Sequence, residues 1–225
     1  VALFIAMFAL PQLAQAQTKY NLEIAGKQVT SDNCNNLSVI PGVSGTVRYD
    51  PSQKILTLEN ATINAGKEQA LVSRTDGLTI KLIGTNNLSS SGATMGITEA
   101  LTITGEGATL NVVSETICAV YSNTADITID NCNVNLKGEY GFLAREDDHP
   151  ESLIIKKANV TSDGRAGSIV AFTNLIMEGC GIIQPEGARF DAKQKTVVVN
   201  GERVRGKVVI APNVYDLKIV GIDVT

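Results

Sequence analysis

The stretch Leu101–Leu136, LTITGEGATLNVVSETICAVYSNTADITIDNCNVNL, contains two triplets in which apolar residues flank a threonine, Leu101–Ile103 and Ile127–Ile129. Similar triplets recur at intervals of 22 to 26 residues, and they are Leu78–Ile80, Leu153–Ile155 and Leu175–Met177. A repeat of this length in strand-forming residues, with no helical pattern between the copies, is typical of one coil of a β-solenoid. The alternation predicts that the first and third residues of each triplet point inward and the middle one outward.

Each triplet is part of a larger repeating unit. A short Gly/Asn/Lys turn follows it, and then a second apolar run such as Leu110–Val112 or Val134–Leu136. A third segment of similar composition precedes the triplets, and its copies are Ala70–Arg74, Ala119–Asn123, Gly141–Arg145 and Ser168–Phe172. Three strands per coil predict an all-β fold, a right-handed parallel β-helix of about six to eight coils, with the hand taken from the crossover rule.

The two ends of the repeat region have a different pattern. Residues Gly45–Leu58 contain two strand-like runs around the turn Asp50–Gln53, and Arg189–Val199 has a similar arrangement. Solenoids need atypical terminal elements to cover their open strand edges. We therefore expect hairpin-like caps at both ends.

The N-terminal residues have the pattern of an export signal. Residues 1–16 combine an apolar block with the small-residue site Ala14-Gln15-Ala16, which predicts a signal peptide that is truncated at its N-terminus. A buried N-terminal helix is the alternative interpretation. The mature chain, from Gln17, contains no segment apolar and long enough to be a transmembrane helix. A secreted or cell-surface location follows from the signal-peptide interpretation.

A second repeat has a much longer period. Residues Tyr20–Thr30 match Tyr215–Thr225 at the Tyr, Leu, Ile, Gly, Val and Thr positions. We interpret residues 17–210 as one β-helix module, 211–214 as a linker, and 215–225 as the start of a second, truncated module. Further modules of the same chain would then be its neighbours.

Composition and motifs exclude several classes of function. The 225 residues carry a net charge of −4, and their basic residues are scattered singly, which argues against nucleic acid as a partner. No phosphate loop, dinucleotide fingerprint or nucleophile elbow is present. His149 is the single histidine and no CxxC motif exists, so neither a metal site nor a cofactor is predicted.

The four cysteines are predicted to be packing residues. Cys132, Ala158 and Cys180 each lie five residues after the start of a triplet, which places them in one inward column. Cys132 and Cys180 would lie two rungs apart, about 9.6 Å, farther than a disulfide can span. We expect free thiols there, whereas pairing of Cys34 with Cys118 remains open.

Several of these patterns together are similar to those of a known group of proteins. The Tyr20–Gly26 opening (Tyr-x-Leu-x-Ile-x-Gly), the Tyr49–Leu58 hairpin and the Leu-Thr-Ile coils resemble secreted carbohydrate-binding-type β-helix modules of bacterial surface proteins, within the pectate-lyase-like solenoid superfamily. The resemblance implies the right-handed β-helix and a polysaccharide as ligand.

Sugar binding often uses aromatic side chains beside polar groups. Tyr121, Tyr140 and Phe172 lie in or near the third segments of neighbouring coils, and Arg74 and Arg145 follow two of these segments. We expect these five residues to line one edge of the solenoid as a glycan-binding site.

Catalysis has less support in the sequence. The outward positions after the triplets are Lys81, Thr104, Asp130, Lys156 and Glu178, in which a lysine separates the two acids. This order is typical of a solvated charge ladder, and the acidic calcium cluster of the lyases is not found, so we assign no catalytic residue. The charged segment Arg145–Glu151 is expected to be a solvated loop. A non-catalytic glycan-binding module is thus the first hypothesis; a structural stalk or adhesin repeat, and a polysaccharide lyase or hydrolase, are the alternatives.

The export hypothesis predicts the first residue of the mature protein. Cleavage after Ala16 should leave Gln17 at the N-terminus, because Ala14 and Ala16 fit the small-x-small rule of the signal peptidase. Intact mass or N-terminal sequencing of secreted material measures this. Secreted protein that retains Phe4 to Leu10 would contradict it.

Overall fold

The computed structural model describes residues 16–146 and 149–213, and these form an all-β chain without an α-helix. A short 3-10 turn, Leu37–Val39, interrupts the strands. The strands, in chain order, are β1 (Lys19–Ile24), β2 (Lys27–Thr30), β3 (Val43–Asp50), β4 (Ile55–Asn64), β5 (Leu71–Ser73), β6 (Leu78–Ile83), β7 (Thr85–Ser90), β8 (Met95–Ile97), β9 (Leu101–Thr104), β10 (Thr109–Ser114), β11 (Cys118–Ser122), β12 (Ile127–Asp130), β13 (Asn133–Ala144), β14 (Ser152–Lys156), β15 (Asn159–Val170), β16 (Asn174–Glu178), β17 (Cys180–Gln184), β18 (Arg189–Asp191), β19 (Thr196–Val199), β20 (Glu202–Arg203) and β21 (Gly206–Pro212).

Parallel pairing arranges these strands in three sheets that the chain visits in turn. Sheet A contains the first half of β4 and then β6, β9, β12, β14 and β16. Sheet B contains the second half of β4, then β7, β10 and the first halves of β13 and β15. Sheet C contains β5, β8, β11 and the second halves of β13 and β15. One passage through A, B and C is one coil, and the chain makes about five turns.

The triplets align in sheet A as the sequence predicts. Leu101 lies beside Leu78 on one side and Ile127 on the other, and the same register continues to Leu153 and Leu175. Leu101 and Ile103 are 3% and 1% exposed, whereas Thr102 between them is half-buried. The predicted alternation is therefore confirmed, and the inward residues stack into one continuous hydrophobic core.

The turn between sheets A and B is also as predicted. Asn131, Lys157 and Gly179 occupy equivalent places in three coils and have positive φ angles of 50°, 45° and 68°. Glycine and asparagine enter this left-handed region readily, and lysine enters it at some cost in strain. The next residue in each coil is Cys132, Ala158 or Cys180, all buried. The inward column of small residues is thus confirmed.

The number of coils is lower than expected, because the terminal segments pair antiparallel and form caps. β3 pairs antiparallel with β4, as predicted for the hairpin, but β4 is also the first rung of sheets A and B. β1 covers β5 at the start of sheet C. At the other end β21 covers β15, and β18, β19 and β20 form a small antiparallel meander. The hand of the coil stays a prediction.

The predicted domain boundaries lie mostly outside the described residues. Residues 1–15 of the predicted signal peptide and 214–225, including the repeat of Tyr20–Thr30, are not described. Strand β21 ends at Pro212, where Ala211 and Pro212 pair with Gly181 and Cys180. Strand pairing therefore extends two residues into the segment 211–214 that the sequence suggested as a linker.

All four cysteines are free and buried. The Cys132 thiol donates to the carbonyl of Ile103 at 3.7 Å, and the Cys180 thiol donates to that of Ile155 at 3.2 Å. Each acceptor belongs to the coil before its cysteine, so the two thiols occupy equivalent places. The predicted free thiols are confirmed, and Cys34 does not pair with Cys118.

Stacking of inward residues should dominate stability. Ile129→Ala should lower the free energy of unfolding by about 2 to 5 kcal/mol, because it leaves a cavity between the neighbouring rungs. Thr128→Ala, on the outward side of the same strand, should cost less than about 1 kcal/mol. Urea unfolding of both variants measures the difference. Equal effects would contradict the inward stacking.

The thiols should be inert in the native protein. Burial raises the pKa of Cys118 and of Cys132 to about 12, so almost no thiolate exists at pH 8. Alkylation by iodoacetamide at pH 8, followed by mass spectrometry, should modify them only after denaturation. Rapid native labelling, or a Cys132–Cys180 disulfide, would be incompatible with the register described above.

Candidate functional site

The two tyrosines predicted to bind sugar lie on neighbouring coils but at different places. Tyr121 is half-buried on the outer side of sheet C, with Leu143 beside it on the next rung. Tyr140 lies where β13 bends from sheet B to sheet C, beside Cys118 and Gly167. Since Cys118 precedes Tyr121 by three residues, the two tyrosines are displaced by about 10 Å along the strand direction. They do not form a single stacking platform.

Phe172 is not part of any surface. Its side chain is fully buried and makes an edge-to-face contact with Phe142, with the ring centroids 6.4 Å apart. Such aromatic pairs stabilise a core. The assignment of Phe172 to a glycan-binding edge is therefore corrected.

The two arginines lie at the same turn of different coils. Arg74 follows β5 and forms an ion pair with Glu23, with Nη1 and Oε1 2.7 Å apart. Arg145 follows β13 and donates to the side-chain oxygen of Asn123 at 3.3 Å. Their coils are three rungs apart, about 14 Å. Arg145 lies opposite Asn123 and is therefore diagonal to Tyr121 on the next rung of sheet C, whereas Arg74, Tyr140 and Phe172 lie apart from this pair.

The predicted charge ladder on sheet A has the expected order. Lys81, Thr104, Asp130, Lys156 and Glu178 lie in one row across neighbouring rungs. Lys156 and Glu178 form an ion pair, with Nζ and Oε1 3.2 Å apart, and both side chains are partly exposed to solvent. Asp130 and Glu178 lie two rungs apart, about 9.6 Å, with this lysine between them.

The charged segment Arg145–Glu151 is only partly the solvated loop that was expected. Residues 147 and 148 are not described, and Arg145, Glu146 and His149 are exposed. Glu151, in contrast, is 1% exposed and accepts a hydrogen bond from the backbone N–H of Thr124. Its carbonyl accepts from the N–H of Thr173 on the following coil. Glu151 is therefore a buried residue that ties three coils together.

The outer side of sheet B carries a regular set of amide groups. Asn87, Asn111 and Asn135 lie on successive rungs. The amide nitrogen of Asn111 donates to Asn87 at 2.8 Å, and that of Asn135 donates to Asn111 at 2.9 Å. A second, shorter ladder runs beside it, in which Asn159 donates to Asn133 at 2.9 Å. We call these five asparagines the amide face.

Hydroxyl groups extend the amide face at both ends and along one side. Thr62 and Thr161 continue the row of Asn87, Asn111 and Asn135, and Thr85 and Thr109 continue the shorter one. The longer row therefore covers five rungs and spans about 19 Å. It contains no charged side chain.

The ladder leaves hydrogen-bonding capacity on the outer surface. An asparagine amide has two N–H donors and an oxygen with two lone pairs, and a ladder bond uses one N–H of one residue and one lone pair of the next. Each of Asn87, Asn111 and Asn135 therefore keeps at least one donor and one acceptor site. The ladder also fixes the amide orientations, so these groups are organised before a ligand arrives.

Sequence reasoning missed the amide face, although a signal was present. Asn87, Asn111 and Asn135 recur at intervals of 24 residues, which is the length of one coil. The predicted site was built on aromatic and basic side chains, whereas these asparagines occupy the outward polar positions of an ordinary alternating strand.

Comparisons with models of protein families, with curated proteins and with solved structures find no match for this chain. In the described part of the chain, no cluster of three or more histidine, cysteine or acidic side chains has a geometry suited to a metal ion. No helix there has the length and apolarity needed to cross a bilayer. The fold defines the protein as a parallel β-solenoid with antiparallel caps.

Proposed function

We propose that this protein is a non-catalytic, glycan-binding β-helix module that acts outside the cell, either secreted or on the cell surface. The amide face is the observation that carries the proposal. It offers pre-oriented donors and acceptors in a straight row across the rungs of sheet B. Location outside the cell rests on the apolar segment and Ala14-Gln15-Ala16 at the N-terminus.

An extended polysaccharide suits this face better than a compact ligand does. Its hydroxyl groups are both donors and acceptors, and they repeat along the chain. The row from Thr62 to Thr161 repeats every 4.8 Å or so along the solenoid axis, so several sugar units can bind at once. Hydrogen bonds to solvated groups are weak, so each sugar unit contributes only a modest affinity. Several units bound at once give a higher total affinity for the polymer, and binding stays reversible.

Binding without cleavage agrees with the charge pattern. Asp130 and Glu178 are the outward acids of sheet A, and Lys156 lies between them and pairs with Glu178. The amide face itself carries no acid. The module thus has groups suited to holding a sugar, while a lyase or hydrolase needs two suitably placed carboxyl groups or a bound cation. A right-handed coil, kinship with pectate-lyase-like solenoids and further modules in the chain belong to the same proposal.

The amide face should be required for binding. Retention of the protein on an array of plant, host and microbial polysaccharides should identify a ligand, and the double variant Asn111→Ala, Asn135→Ala should weaken binding by about tenfold or more, as expected for losing two polar contacts. Thr128→Ala on sheet A is the matched control and should bind normally. Tyr121→Ala and Tyr140→Ala test the aromatic alternative.

The outcomes separate the three hypotheses. If the tyrosine variants lose binding and the asparagine variant does not, the binding site lies on sheet C and not on the amide face. No retention on any glycan would favour a stalk or adhesin repeat. Release of unsaturated or reducing sugars would show that the protein is an enzyme. Circular dichroism of each variant verifies that the fold is intact.

A further inference from the structure

A cleft separate from the amide face lies at the N-terminal end of sheet A. The turn between β3 and β4 forms one wall, and the first two rungs of the sheet form the floor. The cleft has a volume of about 400 Å³, and the polar residues around it are Asn35, Arg48, Asp50, Gln53, Thr57 and Lys81. This volume is within the range of small-molecule sites, roughly 300 to 1,000 Å³.

Two cations flank the cleft. Arg48 on β3 pairs with Thr57 on β4, and Thr57 lies beside Lys81 on β6, so the three residues form one row on the same side of the sheet. The strand spacing places the backbones of Arg48 and Lys81 about 10 Å apart, with the threonine between them. Within the described part of the chain, neither cation forms a salt bridge.

One carboxylate oxygen of the acid in the cleft is hydrogen-bonded to its own turn. Oδ1 of Asp50 accepts hydrogen bonds from the Ser52 hydroxyl at 2.6 Å and from the backbone N–H groups of Ser52 and Gln53 at 2.9 and 3.2 Å. Asp50 therefore shapes the turn that forms the wall. Its single negative charge leaves the lining with a net positive charge, given Arg48 and Lys81.

Thr57 supplies a second, independent feature. This residue lines the cleft, and its hydroxyl makes no hydrogen bond to any described residue but still reaches solvent. A hydroxyl that faces the cleft in this way can exchange its contact with water for a hydrogen bond to a bound group. The hydroxyl lies at the floor, between the two cations. An oxyanion held there would accept from Thr57 and from both cations.

We propose that this cleft binds the acidic group of a sugar, a carboxylate or sulfate ester, with Arg48, Lys81 and Thr57 as its ligands. Arginine and lysine form strong charge-assisted hydrogen bonds to such groups. The side-chain amides of Asn35 and Gln53 are suited to the neighbouring sugar hydroxyls. The inference rests on the proposed glycan function and adds a selectivity for acidic sugars that the uncharged amide face lacks.

The test uses the folded protein and small probes. Titration with glucuronate, followed by calorimetry or NMR, should show saturable binding, and glucose at the same concentration should not bind in the cleft. Arg48→Gln and Lys81→Gln should each weaken glucuronate binding by about tenfold, the effect of losing one charge-assisted hydrogen bond. Thr57→Val should weaken it at constant charge.

Two controls make the result specific. Lys137→Gln removes an exposed lysine on sheet B that does not line the cleft, and it should leave glucuronate affinity unchanged. Asn111→Ala should also leave it unchanged, so failure of the amide face and failure of the cleft are distinguishable. Titration with inorganic sulfate tests whether a free anion binds as well as an anionic sugar does. Sulfate should bind more weakly than glucuronate because it lacks the sugar hydroxyls.

Three results would overturn the proposal. Equal binding of glucose and glucuronate would show that the charge is not recognised. Binding of inorganic sulfate with no preference for glucuronate would reduce the cleft to a general anion site. Unchanged glucuronate affinity in Arg48→Gln and Lys81→Gln, with native circular dichroism spectra, would place any binding elsewhere.

Discussion

Stacking of equivalent residues on successive rungs holds the structure together. Parallel hydrogen bonding brings each coil about 4.8 Å from the next, and the inward side chains then pack on side chains of the same kind. The column from Leu78 through Leu101, Ile127 and Leu153 to Leu175 shows this arrangement. Because each coil buries its core only against its neighbours, the array needs several coils and two covered ends.

Antiparallel strands cover the open edges of the sheets at the two ends of the solenoid. At the start β3 covers sheet A and β1 covers sheet C, and at the finish β21 covers sheet B. Strand β16, in contrast, pairs among the described residues with β14 alone. Its inward residues Leu175 and Met177 are only partly buried and Ile176 is 42% exposed. Among the described residues, no further strand covers the core at the C-terminal end of sheet A.

A scaffold of stacked coils places function on the outer faces. Outward side chains on sheets A and B repeat at the rung spacing, so a residue type that recurs once per coil becomes a row. Asparagines on sheet B become a hydrogen-bonding face, and alternating charges on sheet A become a screened ladder. The cleft forms where a cap departs from this regularity, because the β3–β4 turn stands beside the sheet.

The sequence by itself determined the coil, its inward residues, its turns and the burial of Cys132 and Cys180, because these depend on alternation and spacing within one coil. Tertiary structure alone decided which side chains meet across coils. Local pattern did not separate the buried Phe172 from the half-buried Tyr121, or Glu151 from its exposed neighbours. The row of Arg48, Thr57 and Lys81 likewise requires the register of three strands, since its members are far apart in the chain and are brought together by backbone pairing.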